Sequence, residues 1–223
     1  MTHFADLLEG YARFRDTGWE EQRDRWEQLA EGQSPKVMII ACSDSRVEPA
    51  QIFDTHPGEV FVVRNVGALV PPFEVTPGRH GVSSALEFAV QILRVEEIVV
   101  LGHGMCGGCH AALHRTMEGT EPGHGGFIAD WISMLDEASA AVRARHSDLH
   151  SAAARRDMEF AAVRVSLANL RTFPCIEQKE AKGRLRLRGA LFAVSDGILH
   201  LLDEKTDRFS RYAWSENAPQ GIA

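Results

Sequence analysis

Three short runs, "KVMIIA" (36–41), "EVFVVRN" (59–65) and "EIVVLGH" (97–103), are apolar along most of their length rather than alternating. A strand that is apolar on both faces has to be covered on both, which requires a layer on each side of its sheet. Between the second and third runs, "SSALEFAVQIL" (83–93) carries apolar residues at helical spacing, with Ser83 or Ser84 placed to cap its start. Strands separated by helices predict an α/β fold, a mainly parallel β-sheet flanked by helices. In such sheets ligands gather beyond the carboxyl ends of the strands, and Cys42 and His103 fall at those ends.

Two regions flank this pattern. Phe4, Leu7, Leu8, Tyr11 and Phe14 predict an amphipathic opening helix, and 19–31 a second that carries Trp19 and Trp26. The stretch "GQSP" (32–35) ends this helical arm, residues 1–31. Residues 127–170 predict two or three helical pieces, and "GALFAVSDGILHLLDEKTDRFSRY" a C-terminal β-hairpin turning at Asp196-Gly197. No repeat or low-complexity linker divides the chain, so 1–223 is expected to form a single domain with the arm attached.

The charge balance narrows the function. With 24 basic against 31 acidic residues, net −7, the chain lacks the excess needed to neutralise phosphates, so no nucleic-acid partner is expected. The "RLRLR" stretch (184–188) reads as a strand with an arginine face. No apolar run approaches the ~20 residues of a membrane span, so no membrane partner is expected. The first residues are acidic and amphipathic rather than basic and then apolar, unlike a secretory leader. Four cysteines in such a chain read as thiols for metal or chemistry, and the expected compartment is the cytoplasm.

Chemistry concentrates in "ACSDSR" (41–46) and "GHGMCGGCH" (102–110). If strand geometry persists past Ala41, Cys42, Asp44 and Arg46 share one face. His103 and Cys106, three residues apart, join Cys42 in a set of one imidazole and two thiolates that suits zinc. Cys109 leaves alternatives open: a dithiol pair with Cys106, or a fourth ligand that closes a structural site. Cys175 reads as a small apolar side chain. His80, His110, His114 and His124 lie in or near loops and receive no catalytic role. Two thiolates cancel the charge of the ion, so water in an open fourth position is acidified less than beside three neutral histidines. The nucleophilic hydroxide is therefore expected mainly on the alkaline side of neutral. Asp44 can accept a hydrogen bond from it or take the fourth position itself, and Arg46 can hold Asp44 off the ion in a two-pronged pair.

At these residues the sequence resembles the β-class carbonic anhydrases, in particular their plant-like branch. The resemblance rests on "CSDSRV" (42–47), "EFAVQILRVEEIVVLGHGMCGG" (87–108), "FVVRNVGALVPP" (61–72) and "VSLANLRTFP" (165–174). It implies one Zn2+ per subunit on Cys42, His103 and Cys106, an Asp44–Arg46 dyad, and reversible hydration of CO2 to bicarbonate and a proton by zinc-hydroxide attack. It also implies a homodimer or higher even oligomer built through the N-terminal helices. Gln33, Phe61 and Val66 match substrate-pocket positions, with the backbone of Gly107 able to orient a substrate oxygen. Phe88 stands where that branch has a tyrosine. Ile39 stands where a bicarbonate-regulated branch has a tryptophan, so no inhibitory bicarbonate site is expected. The alternative within this resemblance is hydrolysis of a sulfur analogue, carbon disulfide or carbonyl sulfide, on the same zinc.

Overall fold

The computed structural model describes residues 2–214, so the expected span 1–223 runs past it at both ends. The chain separates into two compact units, one ending at Ser34 and the other beginning at Pro35.

In the first unit, helix α1 (Phe4–Arg13) starts where the Asp6 carboxylate accepts a 2.7 Å hydrogen bond from the His3 amide. It continues through a π-helical turn, Phe14–Gly18, and a helical turn, Trp19–Glu21, to α2 (Arg23–Glu31). Trp19 and Trp26 stack with ring centroids 5.3 Å apart, and Phe14 meets both edge-on. The two tryptophans thus find aromatic partners within the arm. Phe4, Leu7, Leu8 and Tyr11 stay exposed, although their spacing places them along one face of α1.

The second unit is built on a six-stranded sheet in the order β2-β1-β3-β4-β5-β6. Strands β1 (Val37–Cys42), β2 (Val60–Asn65), β3 (Glu97–His103) and β4 (Arg186–Ala193) run parallel. Strands β5 (Ile198–Asp203) and β6 (Arg208–Arg211) follow antiparallel. The continuous apolar pattern has the predicted cause: Met38 and Ile40 pack into one core layer, Ile39 and Ala41 into the other. Leu187 is buried between exposed Arg186 and Arg188, which both reach Glu97, at 2.7 and 3.5 Å.

Beside a single helical turn, Pro49–Ile52, the longer helices described in this unit are α3 (Gly81–Glu87), α4 (Gly107–His114), α5 (Gly126–Ile132), α6 (Asp136–Arg145), α7 (Ala152–Leu170) and α8 (Pro174–Ala181). Helix α7 lies against β3 and β4. Its close approach depends on Gly102, where an added Cβ would stand 2.7 Å from Val163 Cγ2.

Three local expectations change. Neither Ser83 nor Ser84 caps α3: the N-cap is His80, and the Ser84 hydroxyl instead donates to the Gly81 carbonyl. The predicted 83–93 helix turns π-helical at Phe88–Leu93, a change that side-chain spacing over so few residues does not reveal. The C-terminal hairpin gains a third strand, β6, because Asp203 folds the chain back once more. Its carboxylate accepts from the Lys205 amide and the Thr206 hydroxyl, both at 2.9 Å.

Candidate metal centre

Neighbouring strands bring the two motifs together. β1 pairs with β3, Cys42 closes β1, His103 closes β3, and Cys106 is the N-cap of α4 just beyond. One ligand atom from each of Cys42, His103 and Cys106 lies within 4.8 Å of the others, and all three residues are buried. Among the described residues this is the only His, Cys, Asp or Glu group so arranged. The His103 Nδ1–H donates to the Gly104 carbonyl at 2.9 Å. That bond fixes the tautomer and turns Nε2 inward, where it is buried with no hydrogen-bond partner.

An orphaned acceptor nitrogen beside two buried thiols is costly unless something binds there. One nitrogen and two sulfurs fit a tetrahedral, borderline-soft divalent ion. As a thiol, Cys42 is pushed up to about 12, first by hydrogen bonding with Cys106 and then by burial. Cys106 is likewise pushed up to about 12, first by its hydrogen bond with Cys109. Cys109 therefore touches the centre through Cys106 but is not among the converging donors.

The strand does not continue to Asp44. It ends at Cys42, and a turn replaces the expected alternation of faces. The Asp44 carboxylate folds over this turn and takes three bonds from Arg46: Oδ1 from the backbone amide at 3.0 Å and from Nε at 2.9 Å, Oδ2 from Nη2 at 2.7 Å. This pairing holds the carboxyl well below the usual carboxylate range. Asp44 Oδ2 stands 3.9 Å from His103 Nε2.

Three supports had no local signature. Arg64, near the end of β2, donates to the carbonyls of Cys42 (3.0 Å), Asp44 (2.8 Å) and Val47 (2.7 Å), and to Glu48 (2.6 Å). Met105 holds a left-handed backbone, φ 58°, which is strained for a side chain of its size. It is clamped on both sides: its amide donates to buried Glu159 at 2.6 Å, and its carbonyl accepts from Arg46 Nη2 at 2.9 Å. Gly67, at φ 79°, points its amide at Cys42 Sγ, 3.3 Å away. The sequence signals were an arginine at the carboxyl end of a parallel strand and an acid in an apolar helix, each meaningful only once the topology is known.

The substrate-pocket candidates divide. Val66 lies beside the centre: it packs at Gly108, where an added Cβ would stand 3.0 Å from its Cγ1, and its carbonyl accepts from Trp131 Nε1 at 2.7 Å. Gly107 opens α4 directly after Cys106, with free space where a Cβ would point. Phe61 and Phe88 stack on each other at 5.9 Å, but Phe61 pairs with Met38 whereas Asn65 pairs with Cys42. At ~3.3 Å per residue, Phe61 is thus roughly 13 Å below the Cys42 level of the sheet. Gln33 belongs to the N-terminal unit.

A thiolate–imidazole zinc centre at the carboxyl ends of a parallel sheet defines an α/β zinc enzyme. The comparisons with known proteins specify which. Residues 37–199 match the family model described as carbonic anhydrase. A carbonic anhydrase of Pseudomonas aeruginosa is 36% identical over 204 residues, 92% of this chain and 90% of the relative. The β carbonic anhydrase 3 of Arabidopsis thaliana is 35% identical over 202 residues, 90% of this chain and 78% of that protein. Among solved structures, the β-carbonic anhydrase CcaA superposes with a TM-score of 0.86 at 30% identity, covering 95% of this chain and 92% of that one. A Coccomyxa β-carbonic anhydrase in complex with acetazolamide gives 0.76 at 30% identity, covering 91% and 87%. The chain belongs to the β-class carbonic anhydrases. Its activity is the interconversion of CO2 and bicarbonate, and Cys42, His103 and Cys106 have the geometry of the zinc site.

Proposed function

We propose that Asp44, held ionised and in place by Arg46, orients the attacking water in CO2 hydration, while Cys42, His103 and Cys106 hold the zinc. When bound, the ion supplies the Lewis acidity that makes a nucleophile of water near neutral pH. Asp44 can only accept, so it takes a hydrogen bond from the proton that the attacking oxygen keeps and aims a lone pair at the carbon of CO2. Arg46 occupies both carboxylate oxygens, which keeps Asp44 from becoming a ligand itself. The observation that carries this reading is the 3.9 Å approach of Asp44 Oδ2 to the orphaned His103 Nε2.

Val66 and the amide of Gly107 border the space where CO2 and bicarbonate bind. Gln33, Phe61 and Phe88 contribute to the pocket as part of a homodimer, or a higher even oligomer, formed through α1. The exposed Phe4, Leu7, Leu8 and Tyr11 support that assembly, and one relative of this fold, from Sordaria macrospora, is a tetrameric β-carbonic anhydrase. No helix among the described residues is long and apolar enough to cross a membrane, and all four thiols are unpaired, which fits a reducing cytoplasm.

Replacing Asp44 with Asn tests the reading. Zinc content should stay stoichiometric while stopped-flow CO2 hydration falls at least ~100-fold, within the range for loss of a positioned proton-handling group. A variant that hydrates CO2 at the parent rate with zinc retained refutes the role of Asp44.

A further inference from the structure

Helix α4 carries His110 and His114 one turn apart, on the side that meets the loop before α7. His114 lies between two other imidazoles: its ring centroid is 4.3 Å from that of His110 and 4.5 Å from that of His150, the latter pair stacked with 23° between the ring planes. Its Nε2 is buried and has no hydrogen-bond partner. Three histidines stacked this closely cannot all be charged without strong repulsion. Burial, then His110, His150 and Arg155, push the pKa of His114 down, which favours the neutral ring, and a neutral imidazole keeps a lone pair on one of its two nitrogens.

Two histidines at i and i+4 share one helix face, a spacing that can chelate a metal, and a third from a facing loop completes a tridentate nitrogen set. We propose that His110, His114 and His150 form a second metal site, distinct from the Cys42–His103–Cys106 centre, that captures a divalent transition cation of the imidazole-preferring class, Zn2+ above all. The three nitrogen sets do not yet converge as the catalytic donors do, so capture requires ring rotation. The two outer rings are free to turn, since both His110 and His150 are exposed. Arg155 places positive charge nearby, which makes this the weaker of the two sites. Its occupant exchanges with the medium rather than staying through purification.

The test uses protein already carrying one zinc per chain, counted by plasma mass spectrometry after desalting. Further Zn2+ is titrated by calorimetry in a non-coordinating buffer at pH 7.5. One additional equivalent per chain is expected. His114→Gln and His150→Gln should each weaken it by at least about 10-fold, the scale on which metal sites respond to loss of even a supporting group, with the first zinc retained. His150 is exposed in a connection, so His150→Gln decides the matter if His114→Gln fails to fold. A zinc-loaded parent that takes up no second equivalent, or variants that bind it as the parent does, overturns the proposal.

Discussion

Replacing Arg64 with Ala tests how the metal centre is held from outside its ligands. The guanidinium makes three bonds to backbone carbonyls of the turn after β1 and one to Glu48, at 2.6–3.0 Å. A hydrogen bond to a charged group contributes ~1.5–3 kcal/mol. Three of them would sum to several kcal/mol, but the side chain is 28% exposed and water replaces part of what is lost. We expect Arg64→Ala to cost about 2–4 kcal/mol in urea unfolding, enough to matter in a fold of ~5–15 kcal/mol but not to abolish it. Lysine keeps the charge but not the fork, so Arg64→Lys should recover only part of the loss. Glu48→Gln, which removes only the half-exposed ion pair, should stay within about 0.5 kcal/mol of the parent. Because the turn carries Asp44, CO2 hydration by Arg64→Ala should fall by at least about 10-fold, equivalent to ~1.4 kcal/mol. If Arg64→Ala unfolds at the parent urea concentration and hydrates CO2 at the parent rate, the turn is self-supporting and the reasoning fails.

Gly102→Ala should destabilise by ~1–3 kcal/mol through the 2.7 Å approach to Val163, and Val163→Ala should relieve part of that in the double variant. Strictly additive unfolding energies would show that helix α7 is not held off β3 by this contact. His200 accepts a 3.2 Å bond from Arg156, and burial, then Arg156 and Arg211, lower its pKa against a smaller opposing effect of Asp196. A histidine with a lowered folded pKa contributes stability above its unfolded value of about 6.5 and loses it as pH falls. His200→Gln should therefore flatten the loss of urea stability between pH 7 and 5; an unchanged slope excludes this origin. Stripping the metal with a chelator should lower the melting temperature without abolishing the far-ultraviolet helical signal, and added Zn2+ should restore it. A melting curve indifferent to Zn2+ would contradict a site on Cys42, His103 and Cys106.

The sheet was legible where physics is local. Met38 to Ala41 had to be covered on both faces, and they are. The ligand set was legible because His103 and Cys106 are close in sequence and Cys42 ends a strand of the same type. The convergence of Asp44 and Arg46 was anticipated for the wrong reason: a turn, not strand alternation, brings them together. What stayed hidden depends on pairings distant in sequence. Arg64 matters only because β2 lies beside β1, and Glu159 only because α7 crosses the loop at Met105. The π-helical stretch at Phe88–Leu93 changes backbone bonding without changing side-chain type, so no pattern in the letters marks it.

The donors of the metal centre come from neighbouring strands whose residues are far apart along the chain. A polypeptide emerging from the ribosome carries Cys42 long before it carries Cys106, and β4, which pairs with β3 as far as His103↔Phe192, is synthesised later still. All three donors are thus made before β4, so the strand that flanks His103 on its far side joins the sheet only after the ligands already exist.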